Sequence, residues 1–428
     1  MTNNFFILGI FIICLIAVVC SGCIGPNPEK PTTPTQLPAS IKIIAEKSVV
    51  DANNKFALNL YSNLRQDPRY ANKTLFFSPF GISSALAITY EGARGSTADE
   101  IQSVFFFPTD SNQRRLGFEQ LYKDINQGNS RYTLKTANAL WAEKSYPLTP
   151  NYVNTASVYY QANANNLDFK NQADNSRVTI NTWVEDQTNN KIKDLIPKGS
   201  INPLTRLVIT NAIYFKGTWV QAFSKNETRD DVFTVAKGIT VPVKMMEKTD
   251  NNSVFRYTET DTLQVLEMPY ATDSKKQLSM LVLLPKMNNL TSVEASLTVD
   301  RLSELRNGLI SQKVNVRFPK FNIETRYGLQ ETLISMGMPT AFTDLADFSE
   351  MDGTRNLYIG DVIHQAFIDV NEEGTEAAAA TAVVMDAMAS SHEIPVPVFQ
   401  ADHPFIFIIQ DNETGNILFM GRVNNPNR

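Results

Sequence analysis

Cysteine is nearly absent. Of 428 residues only Cys14, Cys20 and Cys23 are cysteines, so the chain beyond residue 23 has no disulfide and no thiolate metal site. Histidine is as scarce. His364, His392 and His403 leave little material for a metal site or a Ser/His/Asp triad. A basic excess is missing too: Lys+Arg number 39 against 44 Asp+Glu, a formal charge of -5, which gives nucleic acid nothing to hold. These absences point away from an enzyme, a metal and a resident cofactor. What is present, 43% apolar, 10% aromatic and 19% charged residues, suits a globular chain with a large core.

One long apolar run occurs, and it is N-terminal. Residues 5–20 read FFILGIFIICLIAVVC without a charge, and the first charged residue is Glu29. That is the h-region of a signal peptide, somewhat short for a membrane span; an uncleaved anchor is the alternative. Cys20-Ser21-Gly22-Cys23 resembles a prokaryotic lipoprotein processing box, in which the last cysteine becomes the lipidated N-terminus. Two details depart from that pattern: Cys20 stands where an aliphatic residue is usual, and Met1 to Phe6 carries no Lys or Arg. Pro26, Pro28, Pro31, Pro34 and Pro38 follow, so this stretch is expected as an extended tether. The expected division is therefore 1–22 signal peptide, 23–40 tether and 41–428 folded body. The protein is expected outside the cell, secreted or anchored through Cys23.

Dividing the length by roughly 150 residues per domain would give two or three domains. After residue 40, however, no repeat and no second proline-rich linker interrupts the chain, so one α+β unit is expected. Apolar spacing predicts helices at 41–65, 80–91, 177–188, 293–306 and 329–336. Apolar runs predict strands at 75–77, 134–141, 207–214, 263–268, 278–284, 314–318 and 366–370. A hairpin, 405–409 and 417–420 with Gly415 in its turn, ends the chain.

One stretch reads two ways. Glu372-Glu373-Gly374-Thr375-Glu376-Ala377-Ala378-Ala379-Ala380-Thr381-Ala382-Val383-Val384 has four alanines behind a capping Thr375, which favours helix. Yet Thr381, Val383 and Val384 are β-branched, and Thr375, Ala377, Ala379 and Thr381 put small residues at alternate positions, as in a strand slotted into a tight sheet.

At this point the chain resembles the serpin family, over 41–428. The resemblance is carried by Phe77-Ser78-Pro79, Gly92-Ala93-Arg94-Gly95-Ser96-Thr97, Asn211-Ala212-Ile213-Tyr214-Phe215-Lys216-Gly217-Thr218-Trp219, the stretch just described, and Pro404-Phe405 with Phe419-Met420-Gly421-Arg422-Val423-Asn424-Asn425-Pro426. Five motifs in one order are specific where each alone is not. The resemblance implies three mainly antiparallel β-sheets, eight or nine helices and an exposed reactive-centre loop at about 372–398. It also implies a serine protease inhibitor acting as a suicide substrate. The protease attacks the loop, an acyl-enzyme forms, and the cut loop enters the main sheet as a new strand. The alternative is a non-inhibitory serpin that binds or stores.

Residue by residue, the hinge is Gly374, Thr375, Glu376, Ala377, Ala378, Ala379, Ala380 and Thr381; its inward positions are uncharged and Glu376 faces out. Glu372 matches a carboxylate that pairs with a lysine, Lys320 matches that lysine, and Trp219 stands near them at the breach where insertion begins. Ser78, Asn211 and His364 match polar shutter residues beneath the opening sheet. Where a second serine is common the chain has Gly81, which implies a smaller network. Counting from Gly374 gives Met388-Ala389 as the reactive bond; counting back from Phe399 and Pro404 lands near Ser390. An uncharged residue of medium size there suits an elastase-like, chymotrypsin-like or subtilisin-like serine protease. A trypsin-like target is disfavoured, because no Lys or Arg lies between Glu372 and Arg422. The inhibitor is expected as a monomer.

Overall fold

The computed structural model describes residues 38–125, 130–274, 276–375 and 395–427. The expected signal peptide, Cys23 and most of the tether lie outside the described residues, as do Glu376, Ala377, Ala378, Ala379, Ala380, Thr381 and the bond Met388-Ala389.

Helical periodicity at the start of the body becomes α1 (Ala39–Gln66), which buries Val49, Phe56, Leu60 and Leu64. The next helix, α2 (Pro79–Gly92), begins at Ser78, whose hydroxyl oxygen accepts the Gly81 N–H, with Pro79 in the first turn where no donor is missed. Every residue of α2 except Tyr90 is buried, so it is a core helix and not a surface one. Two further helices matter below, α3 (Ser111–Ile125) and α4 (Phe169–Gln187). Ten α-helical segments lie among the described residues, against eight or nine expected; the shortest is the single turn Ser349–Asp352.

The pattern at 293–306 reads as one helix and folds as two, Leu290–Ser296 and Val299–Asn307. Thr298 is extended between them and caps the second by accepting the Arg301 N–H at 3.1 Å. Val293, Leu302 and Leu305 still face one core, which is why the period survives the break.

Among the described residues, sheets of seven, four and six strands organise the body. The six-stranded sheet comprises β1 (Tyr132–Glu143), β2 (Asn163–Leu167), β3 (Leu207–Thr218), β4 (Phe321–Gly328), β5 (Ile359–Asn371) and β6 (Gly374–Thr375). Their order is β4-β5-β6-β3-β1-β2. Most neighbours are antiparallel, but β5 and β3 also pair directly and in parallel, from Ile359↔Leu207 to Phe367↔Tyr214. Alternation divides β3 between two cores: Ile209, Ile213 and Phe215 join α2 and the seven-stranded sheet, while Val208 and Ala212 pack with Ile180 and Val184 of α4. The seven-stranded sheet holds the terminal hairpin, Phe405–Asp411 and Ile417–Val423, buried throughout.

Candidate functional site

β5 ends at Asn371, and the chain reverses through Glu372-Glu373. Gly374 and Thr375 then return antiparallel between β5 and β3, with Thr375 opposite Val370 on one side and Gly217 on the other. Glycine is required at this return, because Gly374 has φ +151° and a Cβ there would stand 2.0 Å from the Gly217 carbonyl oxygen. Thr375 is fully buried, and its Oγ1 lies 2.8 Å from the Tyr270 hydroxyl. Trp219 clamps the reversal: its Nε1 donates to the Asn371 carbonyl at 3.1 Å and its backbone N–H to the Glu373 carbonyl at 2.9 Å.

Glu372 holds the outer side of the same corner. Its Oε2 accepts from Lys320 Nζ at 2.7 Å and its Oε1 from Thr228 Oγ1 at 2.8 Å. Burial works against the carboxylate charge, but the hydrogen bonds from Lys320, the Glu372 backbone and Thr228 outweigh it and hold the Glu372 carboxyl below its usual range.

Deeper in the sheet a string of hydrogen bonds crosses three strands on the inner face. The Ser78 N–H donates to His364 Nε2 at 3.0 Å. A backbone N–H can only donate, so Nε2 is the acceptor and the proton sits on Nδ1, which donates to Asn211 Oδ1 at 2.6 Å. Asn211 Nδ2 donates in turn to Asn138 Oδ1, and Asn138 Nδ2 reaches Ser84 Oγ at 2.7 Å and the Tyr122 hydroxyl at 2.5 Å. The string therefore ties β5, β3 and β1 to α2 and α3. His364 and Asn211 stand in register, so this contact also fastens the parallel β5/β3 seam. Burial lowers the His364 pKa to about 3 and raises that of Tyr122 to about 12, so both are neutral around pH 7.

Two clusters are thus assembled from the expected residues. Glu372, Lys320, Trp219, Gly374 and Thr375 meet where the chain reverses beyond the end of the β5/β3 seam, and Ser78, Asn211 and His364 meet halfway along that seam. Tyr270, Thr228, Asn138, Ser84 and Tyr122 were not expected.

Residues 51–426 match the family model described as Serpin (serine protease inhibitor). The chain belongs to the serpin family. An uncharacterized serpin-like protein of Methanosarcina mazei is 41% identical to this serpin over 422 residues, 97% of each chain. Leukocyte elastase inhibitor of Bos taurus is 40% identical over 383 residues, 88% of this chain and 98% of that protein. Uncleaved ovalbumin superposes with a TM-score of 0.79 at 30% identity, covering 89% of this serpin and 100% of that chain. Maspin superposes at 0.80 with 28% identity, covering 89% and 100% respectively. The α+β architecture with three sheets is the serpin fold, and the family's general partner is a protease.

In this serpin Gly81 leaves room in the inner network for the Asn211 amide. A Cβ at Gly81 would meet both Asn211 Nδ2 and Oδ1 at 2.7 Å, so the space of the missing side chain is occupied by the Asn211 amide itself. Gly81→Ala is expected to push that amide off His364 or Asn138 and to destabilise the protein by about 1–3 kcal/mol. Urea unfolding followed by tryptophan fluorescence checks this, and an unchanged midpoint would contradict it.

Proposed function

We propose that this serpin is a serine protease inhibitor acting as a suicide substrate, with reactive bond Met388-Ala389 in a loop at about 372–398. The observation that carries this reading is the seated hinge. Gly374 and Thr375 already form a two-residue strand between β5 and β3, directly above the point where those strands close on each other. The first step of insertion is therefore built in.

Extending the same antiparallel register sets Ala377 between Ile368 and Phe215, Ala379 between Ala366 and Ile213, and Thr381 between His364 and Asn211. Each inward position receives a small uncharged side chain where a charge would cost several kcal/mol. At Met388 the same register reaches Leu357 and Leu204, just past the first residues of β5 and β3, Ile359 and Leu207. Loop and slot match in length. The eight parallel β5/β3 pairs would be exchanged for antiparallel pairing on both sides of the new strand, which is the slightly stronger arrangement per residue. Fourteen steps from Gly374 to Met388, at roughly 0.5–1.5 kcal/mol each, supply on the order of 10 kcal/mol. At about 3.3 Å per residue the cut end moves on the order of 45 Å.

In this scheme the protease serine attacks the Met388 carbonyl, the Ala389 amine leaves, and insertion carries the ester-linked protease away before water can hydrolyse it. Gly374, Thr375 and the residues through Thr381 act as hinge. Glu372, Lys320 and Trp219 hold the breach, and Ser78, Asn211 and His364 the shutter. None of them is catalytic, and no cofactor enters. The partner is an elastase-like, chymotrypsin-like or subtilisin-like protease met outside the cell, by a monomer that is secreted or anchored through Cys23.

A panel of such proteases, run on denaturing gels, tests this. The expected result is an SDS-resistant complex, together with a raised thermal midpoint in chain cut at the loop. Cleavage with no complex and no stabilisation would replace the proposal with a non-inhibitory binding or storage serpin.

A further inference from the structure

We propose that Tyr270 is a positioning residue for the inserting loop: its buried hydroxyl is the receptor for the hydroxyl of Thr375 and sets the register of the first inserted pair. The proposal deepens the inhibitory reading and rests on it for its consequence, although the seat itself can be tested without a protease.

The surroundings form a built seat. The Tyr270 ring is fully buried, stacked on Trp219 at 4.5 Å between centroids and set edge-on to Phe215 at 4.9 Å. Its backbone is pinned as well, with N–H to the Leu278 carbonyl at 2.9 Å and its carbonyl accepting from Gln277 Nε2. Directly opposite Thr375 in the ladder is Gly217, where a Cβ would lie 2.8 Å from Tyr270 Cδ1. Any side chain at 217 would displace the ring, so the strand leaves a gap and the phenol fills it. That places one polar atom in an apolar pocket, with Thr375 Oγ1 its partner at 2.8 Å.

A buried hydroxyl without a partner is costly, whereas removing both members of a pair is nearly neutral. The seat therefore discriminates. A residue at 375 with a hydroxyl satisfies Tyr270, and an isosteric apolar residue leaves it orphaned. Slipping the inserted strand by one residue would present Glu376 or Gly374 to the phenol, so the pair also fixes register.

Hydrogen exchange of the peptide spanning Asn371 to Thr375, in the full chain without protease, reads the seat directly. Thr375→Val is expected to reduce protection there about tenfold, and Thr375→Ser to keep it. Tyr270→Phe alone should reduce protection severalfold, and Tyr270→Phe combined with Thr375→Val should restore it to within about twofold of the parent. That rescue is what a packing role for Tyr270 does not produce. Additive effects of the two substitutions, or unchanged protection in Thr375→Val, would overturn the proposal. If the single variants unfold, the double variant still decides: a folded, protected double variant supports the pair, and an unfolded one counts against it. Among variants that seat differently, the ratio of cut to complexed serpin should rise as protection falls. A parent chain that complexes no protease would sink the inhibitory reading and leave the exchange result standing.

Discussion

Thr375→Arg is expected to abolish trapping, so that the loop is cut and released as from an ordinary substrate. Thr375 is fully buried between Val370 and Gly217, over Tyr270, Phe215 and Trp219. A guanidinium there would have no carboxylate to meet, because the nearby Glu372 is already committed to Lys320 and Thr228. Burying an unpaired charge costs several kcal/mol, and the long side chain has no room on the inner face. The variant hinge would stay out of the sheet. Insertion competes with hydrolysis of the acyl-enzyme, and each 1.4 kcal/mol added to the insertion barrier slows it about tenfold. An added barrier of about 4 kcal/mol therefore moves the outcome from mostly complexed to almost entirely cleaved. The measurement is the ratio of complex to cut chain on a denaturing gel, and undiminished complex formation would remove the insertion argument. Loop cutting itself should proceed at the parent's rate, since the reactive bond lies far along the loop from residue 375.

Part of this architecture was legible in the sequence and part was not, for reasons that differ by element. Residues 278–284 read as a strand because they are apolar on both faces, and Leu278–Pro285 is buried throughout. By contrast, Arg229–Ala236 and Ile239–Lys248 pair into a hairpin whose residues are mostly exposed or half-buried, so the apolar pattern is too thin to read. The site divides the same way. Ser78, Asn211 and His364 come together across separations of 286 and 153 residues, which no spacing rule predicts; only the family resemblance joined them. Asn138 did leave a trace, as an amide in the middle of the apolar run Ala137-Asn138-Ala139-Leu140-Trp141. A buried polar group in such a run needs a partner, and that need was the available signal. Tyr270 left none, because a tyrosine after a strand is ordinary and its meaning depends on Gly217 across the sheet.

His364→Ala is expected to cost about 3–6 kcal/mol, a large share of the 5–15 that holds a typical fold. The substitution opens a cavity and orphans two buried groups at once, the Ser78 N–H and Asn211 Oδ1. It also unfastens the β5/β3 seam at the register pair His364↔Asn211, so the closed sheet should lose more stability than one in which the loop has inserted. A pH signature separates this role from packing. The folded pKa of His364 is lowered by burial to about 3, against 6.5 in its absence, so the native state requires the neutral ring. Protonation would place a second donor against the Ser78 N–H. The stabilisation is therefore complete above about pH 6.5 and is lost as pH falls from there toward 3, by at most about 1.4 kcal/mol per pH unit. Tyr327 stacks on the imidazole at 6.2 Å, and its own pKa is raised by burial, so it does not titrate in that window. In His364→Gln the amide cannot take up that proton, and the fall in stability between pH 6.5 and 4 should be shallower than in the parent by close to one proton's slope. Equal slopes in urea titrations of parent and His364→Gln would mean that the ring is not held neutral by the fold, and that the string from Ser78 to Asn138 does not lock the sheet.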